Sequence, residues 1–531
     1  MNRLRSFVAG LLAFVIAVAA PVQSVQSFGL GHLGARGGFG AGGGAGGGAA
    51  VNTFRQISGM VQYATQPVAN GSSFTQVQSR KAFFVHKNGT NLKITIGNVL
   101  SAAAGDTALP DATWRVGLYD PLAAVYYPVN FAGSASILLT SGQIATSDEV
   151  AIPVTGGAAY PGGKLLYVIK YVTYATAPAN FPASRYVATG GDLNEWGNSL
   201  TDKTRSGAWT FSRPAGSFDL APVLAISVRR AASPVVAILG DSISSDFSGD
   251  TLNDYVTGYT ANAFALAGIP TVNVGVSSLS LTTFMGAGYA AKRARIYSVM
   301  VAAGVTHCYC PLGTNDWPAL QTAAQLYANY LLLKAELDAF GIKLIPATLQ
   351  PRTNATNNGQ NGSETNTFTE RATFNANIIA SNGVGYGYYD LAAVLQDSVT
   401  PNFWRTDLRK VTAVAINAGG ANYAAVDLLN LPSAIRIQAT TVSAGSVATA
   451  TLRRGGAFLV DPTNPVASID GLSNAASSQW STGGLTAGSG ANFTLTTAAA
   501  GFDSTDGVHP GPTYHAYAQQ DLASKAPIIF N

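Results

Sequence analysis

Cysteine is nearly absent. The 531 residues contain two, Cys308 and Cys310, too few for the disulfide framework that staples many exported folds. They lie two apart on one expected strand and so share a face, where a bridge between them would strain an extended chain. Both read as buried thiols. Histidine is also scarce, and His32, His86, His307, His509 and His515 show none of the paired spacing of a metal-binding helix. No catalytic metal and no cofactor is expected. Charged residues make up 11% of the chain, with a formal net charge of +4 and no basic run beyond pairs such as Arg229-Arg230 and Arg453-Arg454. That excludes the electrostatic footprint of a nucleic-acid binder.

What is present is glycine, at 58 residues, and apolar residues, at 47%. The length predicts two to four domains. Residues 1–27 carry Arg3 and Arg5, then an apolar run from Phe7 to Ala20, then small residues suited to cleavage. The run is short for a membrane span of about 20 residues, so it reads as a secretory signal peptide, with an uncleaved anchor as the alternative. No later segment is apolar for long enough to cross a membrane. Residues 28–50 are mostly Gly and Ala and read as a flexible linker.

From 51 to 232 short alternating segments are broken by Gly, Pro, Asn and Asp. Asn91–Val99, Thr113–Tyr119, Lys164–Tyr174 and Val223–Val228 are examples. Strands at this spacing predict a β-sandwich. Trp114, Tyr126, Tyr127, Trp196 and Trp209 are either its core or a platform for stacking sugar rings.

Beyond Pro234 the period changes. Strands at Val235, Pro270–Val276, Val305–Leu312, Lys343–Thr348 and Gly387–Leu391 alternate with helices over Asp254–Ala267, Tyr289–Ala303, Ala319–Phe340 and Phe368–Ala380. That alternation predicts βαβ units and a parallel sheet. Residues 409–499 return to short strands, and a last helix runs from Pro512 to Ala523. The reading is an α/β domain over 233–408 and 500–531, interrupted by a β-rich inserted module.

The first strand of that domain, Val235–Leu239, stops at Gly240-Asp241-Ser242. A serine there sits at the carboxyl end of a parallel strand, where open α/β sheets bind ligands. Gly313-Thr314-Asn315-Asp316 ends a later strand, and Asp506-Gly507-Val508-His509 precedes the last helix. In this order and at these positions the three motifs resemble blocks I, III and V of the SGNH (GDSL) hydrolase family. The resemblance implies a three-layer parallel-sheet fold and ester hydrolysis without a cofactor.

A serine hydroxyl needs a base, and His509 is the one histidine in a motif that can bring it there. Asp506, three residues earlier, can accept the other ring N–H and stabilise the imidazolium. By resemblance, the oxyanion donors are the backbone N–H groups of Ser242 and of a block II residue, with the side-chain amide of Asn315. Asn273–Ser278 is similar to block II, but the usual oxyanion glycine falls on Ser278, and Gly275, an earlier glycine, is the alternative. Trp317 is a candidate for lining the acyl or sugar site.

The function expected is an exported serine ester hydrolase, secreted, periplasmic or cell-surface, acting on an acylated carbohydrate. The alternatives are a lipase- or thioesterase-type acylhydrolase, or a surface glycan-binding protein with a retired hydrolase domain.

Overall fold

The computed structural model describes residues 53–56, 61–62, 66–85, 87–121, 123–152, 165–185, 193–205, 218–244, 258–362, 364, 367–423, 425, 428–433, 435–468, 489–504 and 506–530. The expected signal peptide, the glycine-rich linker and Trp209 lie outside these residues. Among the described residues, no helix is long and apolar enough to cross a membrane.

The sheet that carries the site has five parallel strands. They are β1 (Val61–Gln62), β2 (Val236–Ile238), β3 (Thr271–Asn273), β4 (His307–Cys310) and β5 (Lys343–Pro346), in the spatial order β1-β3-β2-β4-β5. Val236, Ala237 and Ile238 are fully buried, as the near-continuous apolar run of a central parallel strand requires. Burying a Val or Ile side chain contributes about 1.5–3 kcal/mol, so the strand bearing Ser242 is anchored by apolar contact on both faces. Cys308 and Cys310 are buried free thiols on β4.

The crossovers are helical. The described helices are α1 (Gly258–Leu266), α2 (Leu281–Met285), α3 (Ala290–Ala302), α4 (Ala323–Asp338), α5 (Thr367–Ala380), α6 (Leu391–Leu395) and α7 (Pro512–Ile529). Each start has a local cause where a cap is seen. Thr322 and Gln325 form a capping box that opens α4, Asp390 caps α6, and Pro512 occupies the first turn of α7, where its missing N–H costs nothing. The stretch expected to start a helix at Ala319 instead makes a 3-10 turn over Thr314–Ala319, broken at Leu320 in the left-handed region.

Two sequence expectations change. Gly387–Leu391 forms no strand, because Tyr389 makes a single parallel bridge to Ala347 before Asp390 turns the chain into α6. Conversely, Val61–Gln62, assigned from sequence to the N-terminal β-domain, pairs with β3 as an edge strand of the α/β sheet.

The N-terminal strands form antiparallel sheets. One pairs Thr53–Gln56, Ala225–Arg230, Thr90–Gly97 and Ile144–Thr146 in that spatial order, and another centres on Ala112–Asp120, Leu165–Tyr174 and Gln76–Phe84. Ile94, Trp114, Val116, Val168 and Val228 share one apolar core. Trp114 is fully buried there, which removes it from any sugar-stacking platform. Tyr127 and Trp196 also pack against that core, while Tyr126 lies against Tyr119 with ring centroids 4.4 Å apart. The Ser101–Asp106 hairpin docks on α3, where Lys292 Nζ donates to Ala102 O at 2.7 Å and Arg295 pairs with Asp106.

Two further strands are β6 (Arg409–Ala421) and β7 (Ser489–Ala499). These pair antiparallel from Arg409↔Ala499 to Ala421↔Ser489, so residues 409 and 499 stand side by side. Val411, Ile435, Ile437, Phe493 and Leu495 lie in an apolar core separate from the one that holds Ile94, Trp114 and Val168.

Candidate active site

Three loops at the carboxyl ends of β2, β3 and β4 meet the loop before α7. At the end of β2, Gly240 is held to glycine by space, because a Cβ there would lie 2.2 Å from Ser244 Oγ. Asp241 Oδ1 accepts the Ile243 N–H at 2.9 Å, tightening the turn. Ser242 follows, 6% exposed.

Ser242 Oγ lies 2.9 Å from His509 Nε2. On the other side of the ring, His509 Nδ1 is 2.6 Å from Asp506 Oδ2. Asp506 Oδ1 accepts the backbone N–H groups of Val508 at 2.9 Å and His509 at 2.8 Å. The structure thus brings a serine hydroxyl, an imidazole and a carboxylate into one hydrogen-bonded series, with Ser242 and His509 267 positions apart in the chain. Burial works to raise the Asp506 carboxyl, but the His509 ring and the two N–H groups outweigh it and hold the group below the ordinary carboxylate range. Asp506 is therefore ionised wherever imidazole can act as a base.

The loop 504–509 is itself fixed from outside. Gly507 sits at φ 76°, and a Cβ would meet Thr353 O at 2.0 Å. Its carbonyl accepts Thr353 N at 2.9 Å and the buried Trp404 Nε1 at 2.9 Å. Asn361 Nδ2 donates to the Asp506 carbonyl at 3.1 Å.

The candidate oxyanion donors lie on the neighbouring loops. Ser278 follows β3 at φ 63°, the left-handed conformation that favours glycine, and among the described residues its N–H has no hydrogen-bond acceptor. Gly275 is different, since its N–H is already donated to Asn273 Oδ1 at 3.0 Å. Asn315 Nδ2 donates to Leu279 O at 3.2 Å, which occupies one of its two amide hydrogens and leaves the second. Trp317 is buried against Phe374 and lines a cavity with Gln321, Glu364 and Thr367.

Sequence reasoning gave no role to Asn273, whose Nδ2 donates to Ser244 O at 2.9 Å and whose Oδ1 holds Gly275. It ties the serine turn to the loop after β3, and its signal was an asparagine at a strand end followed by glycine. Asp241, between Gly240 and Ser242, is 2% exposed, and burial pushes its carboxyl up to about 6, against the pull of the Ile243 N–H and of His509.

The other described histidines are sequestered. His307 is pushed down to about 4 by burial beside Lys343, and His515 to about 3 by burial in α7, so both rings are uncharged imidazoles at neutral pH. Among the described residues, no group of three or more His, Cys, Asp or Glu could hold a metal ion.

No protein-family model matches the chain, and no curated protein matches it in sequence. Solved structures do resemble part of it. One is a GDSL-like lipase from Bacteroides thetaiotaomicron, at 14% identity over 31% of this chain and 72% of that one, with a TM-score of 0.23. Another is a catalytic mutant of an acetylxylan esterase from Geobacillus stearothermophilus, at 14% identity over 32% and 86%, with a TM-score of 0.23. A Bacillus subtilis protein matches at 12% identity over 59% of this chain and 68% of its own, with a TM-score of 0.24. Likeness at this level says nothing about chemistry, which rests on the geometry of Ser242, His509 and Asp506.

Proposed function

We propose that the chain is an exported serine ester hydrolase of SGNH type that removes acyl groups, acetyl foremost, from a carbohydrate. The observation that carries the reaction class is the continuous contact Ser242 Oγ to His509 Nε2, then His509 Nδ1 to Asp506 Oδ2. His509 takes the Ser242 proton as Oγ attacks the ester carbonyl, and Asp506 holds the imidazolium that forms. The tetrahedral oxyanion is met by the N–H groups of Ser242 and Ser278 and by Asn315 Nδ2. Collapse breaks the ester C–O bond, and His509 returns the proton to the departing alcohol. Water, deprotonated by the same imidazole, then hydrolyses the acyl-enzyme and frees Ser242.

The fold reading that goes with this is a three-layer hydrolase domain, with the N-terminal sheets as a β-sandwich and the β-rich module inserted between residues 408 and 500. The carbohydrate half of the proposal draws on the expected signal peptide and on the β-rich modules flanking the site. The test is acetate release from a panel of acetylated polysaccharides, set against short- and long-chain nitrophenyl esters. Release of acetate with short-chain preference supports the reading. Preference for long acyl chains replaces the carbohydrate with a lipid substrate.

A further inference from the structure

We infer that Asp316 is a positioning residue that sets the oxyanion hole by gripping the loop that carries Ser278, an inference that rests on the esterase reading above. Asp316 is fully buried, a placement that a carboxylate tolerates only when its oxygens are satisfied. Both are. Oδ2 accepts the Leu281 N–H at 2.9 Å and Oδ1 accepts the Thr282 N–H at 2.9 Å. These are first-turn N–H groups of α2, which no carbonyl within the helix can satisfy. The third, on Thr283, is taken by the capping hydroxyl of Ser280 at 3.0 Å.

The grip has a further point beside it. Asn315, the residue before Asp316, donates to Leu279 O. The 3-10 turn 314–319 therefore holds Leu279 by its carbonyl and Leu281 and Thr282 by their N–H groups, immediately after Ser278 in its left-handed conformation. In the proposed hole Ser278 supplies one donor and Asn315 another, beside the Ser242 N–H, and the separation of the first two is set by these three hydrogen bonds. An oxyanion hole works because its donors are fixed before charge develops. Asp316 touches no substrate; it acts by fixing where the Ser278 N–H stands relative to Asn315 Nδ2.

Asp316→Asn keeps the side-chain size but turns one acceptor oxygen into an NH2 group facing a backbone N–H. In the full chain, kcat for a short acyl nitrophenyl ester should fall about tenfold or more with KM changed less than about twofold, the pattern of a lost transition-state interaction. Combined with Asn315→Ala, the loss should be smaller than the product of the single losses, because both act through one hole.

Leu281→Pro is the second variant, for the case that Asp316→Asn does not fold. It removes the N–H bonded to Oδ2 at a first-turn position suited to proline, and Ser280 before it is already extended. The same split between kcat and KM is expected. Folded Asp316→Asn with wild-type kcat, or fully multiplicative losses in the double variant, overturns the inference alone. Wild-type protein that turns over no ester overturns the esterase reading and this inference with it.

Discussion

Ser278 is where the chain departs from the SGNH pattern that its motifs resemble, and its backbone makes the departure measurable. At φ 63° an L-residue sits in the left-handed region at a cost of about 1–2 kcal/mol, whereas glycine adopts it freely. Glycine in turn costs about 0.5–1 kcal/mol through the greater freedom of the unfolded chain. Ser278→Gly should therefore leave global stability unchanged or raise it by up to about 1.5 kcal/mol, and kcat should be equal or higher, since the donor is main-chain. Ser278→Ala keeps the Cβ, the strain and the N–H and loses only a hydroxyl, so kcat should stay within about twofold. Asn315→Ala removes a side-chain donor and should cost about 2.7–4 kcal/mol of transition-state stabilisation, a factor on the order of a hundred to a thousand. The assay is kcat on one short acyl nitrophenyl ester for all three variants, with thermal unfolding measured in parallel. If Ser278→Ala falls as far as Asn315→Ala, the hydroxyl itself contacts the oxyanion and the backbone-only role is refuted.

Other outcomes follow from the same geometry. Asp241 is ionised in the folded protein only above about 6, so the folded state holds its proton more tightly than the unfolded chain does. Stability should fall as pH rises from about 4 to about 6 and stay lowered above, by on the order of 3 kcal/mol. Asp241→Asn keeps an acceptor for Ile243 N–H, so its melting temperature should exceed that of the wild type at pH 8 and converge with it near pH 4; equal melting curves at pH 8 contradict the burial argument. Gly507→Ala forces a Cβ to within 2.0 Å of Thr353 O at positive φ. It should displace His509 and cut kcat by an order of magnitude or more, a result that wild-type turnover in the purified variant would refute. Replacing 410–498 with a short Gly/Ser linker should leave hydrolysis of a small ester largely intact, because β6 and β7 leave the domain side by side and the module has its own core. An unfolded deletion protein would show that these residues belong to the core of the α/β fold.

The parts of the site that were legible in the sequence are those whose signals are local. Gly240-Asp241-Ser242 ends an apolar run, Asn315 lies in a Gly-Thr-Asn-Asp turn, and Asp506 precedes His509 by one turn of chain. The α/β alternation from Val235 to Ala380 was legible for the same reason, since each period lies within a dozen residues. What escaped depends on distant partners. Val61–Gln62 becomes a strand only because the edge of β3 is there to pair with it. Trp404 and Asn361 brace the loop of Asp506 and His509 across 103 and 145 residues, and neither has a motif to announce it. Gly387–Leu391 has the composition of a strand, yet only Tyr389 meets the sheet. Trp114 carries no mark distinguishing a core indole from a sugar platform, and burial alone decides it.

The most direct test of the central claim is covalent labelling of the active serine. Purified wild-type protein, incubated with a fluorophosphonate probe, should be labelled once, at Ser242, with parallel loss of short acyl ester hydrolysis, and Ser242→Ala should be folded, unlabelled and reduced in kcat by several orders of magnitude. Ser242→Ala that keeps a tenth of wild-type activity, or a wild type labelled at another residue, would contradict the assignment of Ser242, His509 and Asp506 as the catalytic machinery.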